Sequence, residues 1–259
     1  MRILAIGDML CPEAVDFLER GTLWDFRRRE KIDCVLANAE NASFLGGIRA
    51  KEAERLLQAG VDVITGGNHT MQTKDIYPLL EEGRRITRPI NYPDQVPGSG
   101  YVVVPVGGCR LLVLNALGVV GMTPHTDNPV PKIRRVLERE AGRYDLAVMD
   151  FHAEATGEKL TVAHIFDGQI AMVFGTHTHV PTADEQILPG GTGYISDIGM
   201  SGPTGGVLGV LPATMMQRYQ SGLPVKYEKA TGPITAQGIV FEIDESRRRT
   251  TAIDRVTLT

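Results

Sequence analysis

Short runs of Val, Ile and Leu alternate along this chain with stretches whose apolar residues recur at helical spacing. This alternation is typical of α/β proteins, in which helices cover the strands on both faces. It predicts strands at Ile3–Ile6, Cys34–Ala37 and Val61–Thr65. The intervening segments Glu13–Glu30 and Ala50–Ala59 are predicted to be crossover helices.

The middle of the chain departs from this rhythm. Tyr101–Val106 and Arg110–Asn115 are both strand-like, and the short Gly-rich stretch between them predicts a hairpin. A helix is predicted at Lys132–Ala141. No linker or change of composition divides the chain, so we predict a single domain over residues 1–259, built as two sheets flanked by helices. Later strands are predicted at Leu146–Met149, Ile170–Phe174, Tyr194–Ile195, Val225–Glu228, Gly238–Ile243 and Thr250–Val256.

Composition excludes several classes of protein. The 259 residues are 42% hydrophobic and 22% charged, which is typical of a folded chain. The formal net charge of −4 provides no positive field for a polyanion, so stable nucleic-acid binding is not expected, and Arg247-Arg248-Arg249 is predicted to be a hairpin tip. Three scattered cysteines without CxxC spacing favour a reducing compartment, and no apolar run approaches the length of a membrane span. We therefore expect a cytoplasmic protein without membrane contacts.

Polar side chains able to bind metal ions follow the carboxyl ends of most predicted strands. In open α/β sheets the functional crevice lies outside these ends, so side chains from distant parts of the chain are expected to converge there. Four of the six histidines fall at these positions, beside two carboxylates and two amides. The residues concerned are Asp8, Glu40, Asn41, Asn68, His69, His152, His177 and His179.

Each of these residues also has an ordinary structural explanation. Asp8 could cap a helix N-terminus, and His152 beside a buried strand could be a hydrogen-bonded histidine of the core. Asn68 suits a turn, and Glu40-Asn41 suits a turn or a cap. Their coincidence at the strand ends favours a shared site over independent structural roles.

The donor set is rich enough for two metal ions. His177 and His179 are expected to present both imidazoles to one side, because alternate residues of an extended segment do so. Three histidines, two carboxylates and two asparagines exceed the needs of one ion, and oxygen and nitrogen donors favour Mn, Fe or Zn over Ca. Two ions about 3.5–4 Å apart can activate a bridging hydroxide and hold a phosphoryl group during in-line displacement.

Taken together in this order, the motifs resemble those of the calcineurin-like metallophosphoesterases, and more closely those of the YmdB-like branch of bacterial phosphodiesterases. The resemblance extends over essentially the whole chain. The motifs that carry it are Gly7-Asp8, Asn38-Ala39-Glu40-Asn41, Gly67-Asn68-His69, Asp150-Phe151-His152-Ala153-Glu154 and Gly175-Thr176-His177-Thr178-His179.

This resemblance implies a four-layer α/β/β/α sandwich whose dinuclear site hydrolyses phosphodiesters, cyclic nucleotides among them. Two divalent transition-metal ions are expected, iron or manganese, with zinc as the alternative. The donors divide into two metal sites and one shared bridge: Asp8, Asn41 and His179 for the first ion, Asn68, His152 and His177 for the second, and Glu40 for the bridge.

His69 has no metal ion in this scheme although it follows Asn68 directly. We expect it at the rim of the site as the general acid that protonates the leaving oxygen, while a metal-bridging hydroxide attacks the phosphorus. The alternative is a histidine that only holds Asn68 by a hydrogen bond. Asp150 and Glu154 are expected to orient imidazole ligands.

Two other functions are compatible with the same motifs. A phosphomonoesterase or nucleotidase would use the same metal ions on a different small phosphoester. A slow cyclic-nucleotide sensor would act through a protein partner, and it would need an exposed apolar docking surface. A small phosphodiester or nucleotide substrate is expected in either case, and the sequence leaves assembly into a homo-oligomer open.

Overall fold

The computed structural model of the protein describes residues 1–44 and 46–259. Its helices include the predicted ones, with some differences. The predicted helix Glu13–Glu30 is divided by a π-helical turn, Leu18–Thr22, within which Gly21 has a φ of 105°. Helices at Tyr77–Glu81 and Pro212–Ser221 were not predicted. The α-helices are α1 (Pro12–Phe17), α2 (Leu23–Arg29), α3 (Ala50–Gln58), α4 (Tyr77–Glu81), α5 (Pro129–Arg139), α6 (Thr156–Ile165) and α7 (Pro212–Ser221).

The strands belong to two sheets within the described part of the chain. In the first sheet the order is β2-β11-β12-β1-β3-β4, with β13 paired to β12; in the second it is β5-β6-β7-β8-β10-β9. The strands, numbered along the chain, are β1 (Arg2–Ile6), β2 (Asp8–Met9), β3 (Cys34–Asn38), β4 (Val63–Thr65), β5 (Tyr101–Val106), β6 (Cys109–Leu117), β7 (Leu146–His152), β8 (Met172–Thr176), β9 (Gln186–Ile187), β10 (Gly193–Ile195), β11 (Met200–Pro203), β12 (Ile234–Asp244) and β13 (Arg249–Leu258).

Both sheets mix parallel and antiparallel pairs. β1, β3 and β4 run parallel, whereas β12 is antiparallel to β1 and β13. In the second sheet β6, β7, β8 and β10 run parallel, and β5 is antiparallel to β6 as the predicted hairpin requires. The β12–β13 turn contains Arg247 and Arg248, which confirms the exposed hairpin tip.

Side-chain alternation along the strands builds the four layers. On β1, Ile3 and Ala5 face the second sheet, and Leu4 and Ile6 face the helices that cover the first sheet. The second sheet uses the same alternation, because Val148 packs between the sheets while its neighbour Met149 packs with residues of α5 and α6. The predicted α/β/β/α sandwich is confirmed.

One predicted strand is wrong. Val225–Glu228 does not form a strand, although Val225 and Tyr227 alternate with exposed residues. A strand requires a neighbour that satisfies its hydrogen bonds, and this segment follows Pro224 and contributes the Glu228 carbonyl to Leu211 N at 2.7 Å. The predicted strand Val61–Thr65 is shorter in the structure, where β4 begins at Val63.

The carboxyl ends of the central strands of both sheets meet at one edge of the sandwich. Asn38 at the end of β3 donates from Nδ2 to Asp150 Oδ2 of β7 at 2.9 Å, and Thr65 at the end of β4 donates its hydroxyl to the same oxygen. This buried network joins the sheets where the predicted site lies. Among the described residues, no helix is long and apolar enough to cross a membrane.

Candidate metal centre and active site

The structure brings all of the predicted donor residues to this edge. Asp8 lies in β2, His152 ends β7, and the other donors follow β3, β4 and β8. Asp8 and His152 are fully buried, and Glu40 is 1% exposed. Asp8 does not cap a helix, because α1 begins at Pro12 and Cys11 occupies the N-cap position. The alternative role of Asp8 as a helix cap is therefore wrong.

The first group of donors consists of Asp8, Glu40 and His179. One ligand atom from each lies within 4.8 Å of the others. Asp8 Oδ1 and Asn41 Oδ1 are both buried and have no hydrogen-bond partner among the described residues. Buried acceptors without partners are costly, and a coordinated cation satisfies them. The donor set thus fits a metal ion of the oxygen- and nitrogen-binding class.

The second group surrounds His152 Nε2. This atom lies 3.0 Å from Asn68 Oδ1, 3.1 Å from His177 Nδ1 and 3.4 Å from Glu40 Oε2. The two imidazoles meet edge to face, with ring centroids 4.9 Å apart. Four donor atoms from distant parts of the chain therefore point at one small volume.

Polar groups lie on the far sides of both imidazoles. His152 Nδ1 donates to Thr176 Oγ1 at 2.8 Å, and the Thr176 hydroxyl donates to Asp150 Oδ1 at 2.7 Å. His177 Nε2 lies 3.2 Å from Glu154 Oε2, within ion-pair distance. With its proton on Nδ1, His152 presents an unprotonated Nε2 to the Asn68 and Glu40 oxygens, an arrangement that a cation stabilises.

Burial and like charges shape the ionisation of these groups. Burial, together with the nearby Glu40 and Asp197 carboxylates, raises the pKa of Asp8 well above its usual value. Burial raises the pKa of Glu40 to about 8, and it lowers the pKa of His179 to about 4. Crowded carboxylates beside neutral imidazoles are an electrostatic environment suited to bound cations.

The segment after β8 reaches the site by a sharp turn. His177 has a φ of 104° and His179 a φ of 64°, so the prediction of an extended segment is wrong. Asp8 Oδ2 accepts from His177 N at 2.8 Å, and Asp197 Oδ2 accepts from Thr178 N at 3.0 Å. These contacts support a strained backbone that turns both imidazoles toward the site.

Lys159 and Asp197 are supporting residues that the sequence analysis missed. Lys159 Nζ donates to Asp197 Oδ2 at 3.0 Å and to Thr176 O at 2.9 Å, and both side chains are 1% exposed. Asp197 lies two residues beyond β10, which repeats the strand-end pattern of the other site residues. That pattern could have identified Asp197, whereas nothing in the helical sequence distinguished Lys159.

His69 lies beside the donors at the mouth of a cavity. Its backbone N donates to Glu40 Oε2 at 2.9 Å, and its Nδ1 contacts the Gln72 side-chain amide. The cavity has a volume of about 450 Å³ and is also lined by Met71, Tyr92 and Pro124. These walls come from three separate segments of the chain.

Comparison with known proteins identifies the family. The family model described as YmdB-like protein matches residues 4–256. The chain belongs to the YmdB-like family. This confirms the family prediction that the strand-end motifs supported.

Relatives match over nearly the whole chain. The 2′,3′-cyclic-nucleotide 2′-phosphodiesterase of Bacillus subtilis strain 168 is 38% identical over 256 residues, which cover 99% of this chain and 96% of the relative. A crystal structure of a hypothetical protein from Thermus thermophilus has a TM-score of 0.91 at 36% identity, covering 99% of this chain and 98% of that one. A novel phosphatase from Mycoplasma pneumoniae has a TM-score of 0.90 at 30% identity, with coverages of 99% and 92%.

Proposed function

We propose that this chain is a dinuclear metal-dependent phosphodiesterase that opens 2′,3′-cyclic nucleotides. The predicted enzyme class, a phosphoric diester hydrolase, is confirmed by the relatives that carry phosphodiesterase and phosphatase names. The cyclic substrate is proposed from the name of the Bacillus subtilis relative, which matches this chain over 99% of its length.

The convergence of donor atoms on His152 Nε2, beside buried acceptors without partners, carries this proposal. His177 Nδ1, Asn68 Oδ1 and Glu40 Oε2 all lie within 3.4 Å of His152 Nε2. Asp8 Oδ1 and Asn41 Oδ1 are buried without hydrogen-bond partners among the described residues, and divalent ions would satisfy these acceptors.

The donors are proposed to act in two sets joined by one bridge. Glu40 belongs to both groups, since it lies near Asp8 and His179 and also 3.4 Å from His152 Nε2. Iron or manganese suits the mixture of carboxylate, amide and imidazole ligands, and zinc is the alternative. The assigned ligands are Asp8, Asn41 and His179 for the first ion, Asn68, His152 and His177 for the second, and Glu40 for both.

Each part of the chain then has a place in the reaction. When bound, two ions supply an activated water and neutralise the charge of the phosphoryl oxygens. His69 is proposed to protonate the ribose oxygen that leaves when the ring opens. Since this oxygen belongs to the nucleoside, the nucleoside lies on the His69 side, where Met71 and Tyr92 line the adjoining cavity. A ring and a thioether suit a base that stacks.

A cyclic-nucleotide sensor remains a second candidate because the protein has the surface that this function needs. Tyr219 is 93% exposed and Leu223 is 66% exposed, at the end of α7 and just beyond it. Large apolar side chains exposed together mark candidate contact surfaces. A sensor of this kind would use the same metal centre with slow turnover.

Metal content and substrate choice test the proposal together. Metal analysis of the reconstituted enzyme is expected to give close to two ions per chain, and Glu40→Gln is expected to lose metal at both positions. The exposed Glu54→Gln variant is the matched control and should keep both ions. One ion or none in the wild-type enzyme would exclude the dinuclear centre.

Turnover of a substrate panel separates the candidate functions. We expect 2′,3′-cyclic nucleotides to be hydrolysed with a higher kcat/KM than 3′,5′-cyclic nucleotides or nucleoside monophosphates. Preference for the monophosphates would instead establish a phosphomonoesterase. Tight binding of a cyclic nucleotide with very slow turnover would favour the sensor.

A further inference from the structure

A second concave surface lies between α5 and the segment that leads into β5. The cavity has a volume of about 240 Å³, and Gly98 and Ser99 form part of its wall. The charged side chains that line it are mostly positive, with four cations and a single carboxylate. The charged residues are Arg88, Asp94, Lys132, Arg135 and Arg139.

Three of the cations come from one face of α5. Lys132, Arg135 and Arg139 are spaced by three and four residues, which places them in a row along the helix. Lys132 Nζ pairs with Asp94 Oδ1 at 2.9 Å, and Arg139 Nε pairs with Glu140 Oε1 at 3.2 Å. Arg135 has no ion pair within residues 1–44 and 46–259.

Arg88 adds a buried charge to the same cavity. It is 5% exposed, and its guanidinium donates to backbone carbonyls, including that of Pro89 at 2.9 Å and that of Pro97 at 3.3 Å. No carboxylate of the described residues forms an ion pair with it. Asp94, which also lines the cavity, attracts Arg88 electrostatically without reaching ion-pair distance, so an anion in the cavity would further stabilise this buried cation. Burial correspondingly lowers the pKa of Arg88.

We propose that this cavity binds the phosphate group of a small anion. Two guanidinium groups without carboxylate partners, an ammonium group and the backbone of Gly98 and Ser99 line a volume that admits a phosphate but not a folded domain. Guanidinium groups bind phosphate through paired N–H donors. The chain as a whole carries a net charge of −4, so this positive concentration is local and does not reflect a basic surface.

The cavity is separate from the candidate metal centre, and Tyr92 connects the two. Lys132 Nζ donates to the backbone oxygen of Tyr92 at 2.8 Å. The phenol of Tyr92 contacts Asn68 O on the other side, at 3.4 Å. The two sites therefore lie on opposite sides of Tyr92, and phosphate binding in the cavity requires no metal ligand.

Calorimetric titration of the metal-loaded enzyme with inorganic phosphate tests the proposal. We expect the wild-type enzyme to bind two phosphates, one at the metal centre and one in the cavity. Arg135→Glu should lose the cavity phosphate or bind it about 10- to 100-fold more weakly, the effect of losing a charge-assisted hydrogen bond. Arg134→Glu is the matched control, because it makes the same change on an exposed neighbour outside this cavity and should bind both phosphates.

The outcomes distinguish this proposal from the proposed catalytic function. If the metal centre binds no phosphate, the wild-type enzyme should bind one and Arg135→Glu none, which still supports the cavity site. Equal stoichiometry and affinity in the wild-type enzyme and Arg135→Glu would overturn it. Lys132→Met gives an independent second variant, and an unchanged affinity in both variants would be decisive against the site.

The source of the phosphate group is resolved by three probes on the wild-type enzyme and Arg135→Glu. If inorganic phosphate and adenosine 3′-monophosphate bind with equal affinity, and Arg135→Glu weakens both, the cavity is a site for free phosphate. Tighter binding of the nucleotide would identify a nucleotide phosphate. Equal binding of adenosine, which has no phosphate, would contradict phosphate recognition.

Discussion

Gly67 packs directly against Glu40 and His152, two of the proposed metal ligands. A Cβ atom at this position would lie 2.5 Å from both Glu40 Oε2 and His152 Nε2, two atoms that are 3.4 Å apart. Any side chain here would therefore enter the space between the two proposed ligands. The glycine is required by this close approach.

Replacing Gly67 should abolish the metal centre. We expect Gly67→Ala to displace one of the two side chains and therefore to bind less metal. Its kcat/KM should fall by at least about 100-fold, since misplaced catalytic groups lose their orientation. Gly157→Ala in α6 is the control, because an added Cβ there meets nothing within 4 Å. Full metal content and activity in Gly67→Ala would show that the two ligands can move apart without loss.

The proposed general-acid role of His69 can be tested by changing the leaving group of the substrate. As a general acid, His69→Ala should keep both metal ions while kcat on a 2′,3′-cyclic nucleotide falls by about 10²–10⁴-fold. A p-nitrophenyl ester should be partly spared, because p-nitrophenolate leaves without protonation. Both substrates should be measured on one variant, together with its metal content.

The possible results for His69→Ala have distinct meanings. Equal losses on both substrates with both ions retained would indicate a hydrogen bond to the transition state, without proton transfer. Loss of metal would mean that His69 is a ligand or orients one. Either result would contradict the role proposed for this residue.

At the scale of elements, the segment that follows β8 is held by the helix α6 behind it. The buried Lys159–Asp197 pair joins α6 to the residues beyond β10, and Asp197 also accepts from Thr178 N and Gly199 N. His177 and His179 are thereby kept in backbone conformations that non-glycine residues adopt at an energetic cost. The helix thus supports the segment that carries His177 and His179.

Breaking this pair should cost stability as well as activity. Lys159→Met leaves the Asp197 carboxylate buried without its cation, so we expect a loss of about 3–5 kcal/mol in the free energy of unfolding. Lys229→Met is the matched control, because Lys229 forms a partly exposed pair with Glu13 that should contribute less than about 1 kcal/mol. Urea denaturation of the two variants gives the comparison, and similar losses would show that burial of Lys159 does not set its contribution.

For the whole molecule, the proposed metal ions join strands from both sheets. Asp8, Glu40 and Asn68 come from the first sheet and its loops, whereas His152 and His177 come from the second. Ions that bind the folded chain stabilise it by mass action, because this geometry is absent from the unfolded chain. The two sheets are therefore expected to depend on the metal centre for part of their association.

Metal removal provides the corresponding measurement. Chelation should lower the Tm, and ions present at about 100 times their Kd should account for about 2.7 kcal/mol of stability per site. Addition of Mn²⁺ should restore the Tm. Chelation should lower the Tm of Glu40→Gln less than that of the wild-type enzyme. If metal analysis shows that the ions have been removed and the wild-type Tm is unchanged, the metal ions do not stabilise the fold.

The sequence by itself determined the layered fold and indicated which residues are candidate donors. Apolar periodicity is a local property, so β1, β3 and the β5–β6 hairpin were predictable, and the strand-end rule placed Asp8 and His152 at one edge. Apolar periodicity failed at Val225–Glu228, because a strand forms only where a neighbouring strand exists, and long-range packing decides which strands are neighbours.

Only the tertiary structure decided how the candidate donor side chains are oriented. The proton position on His152 depends on Thr176, and His177 Nε2 faces Glu154. The turn at His177 depends on Asp8 and Asp197. The cavity beside His69 and the cationic cavity on α5 are likewise built from segments far apart in the chain. Contacts between distant residues leave no periodic signal in the sequence, so these features arise only when the sheets and helices have packed.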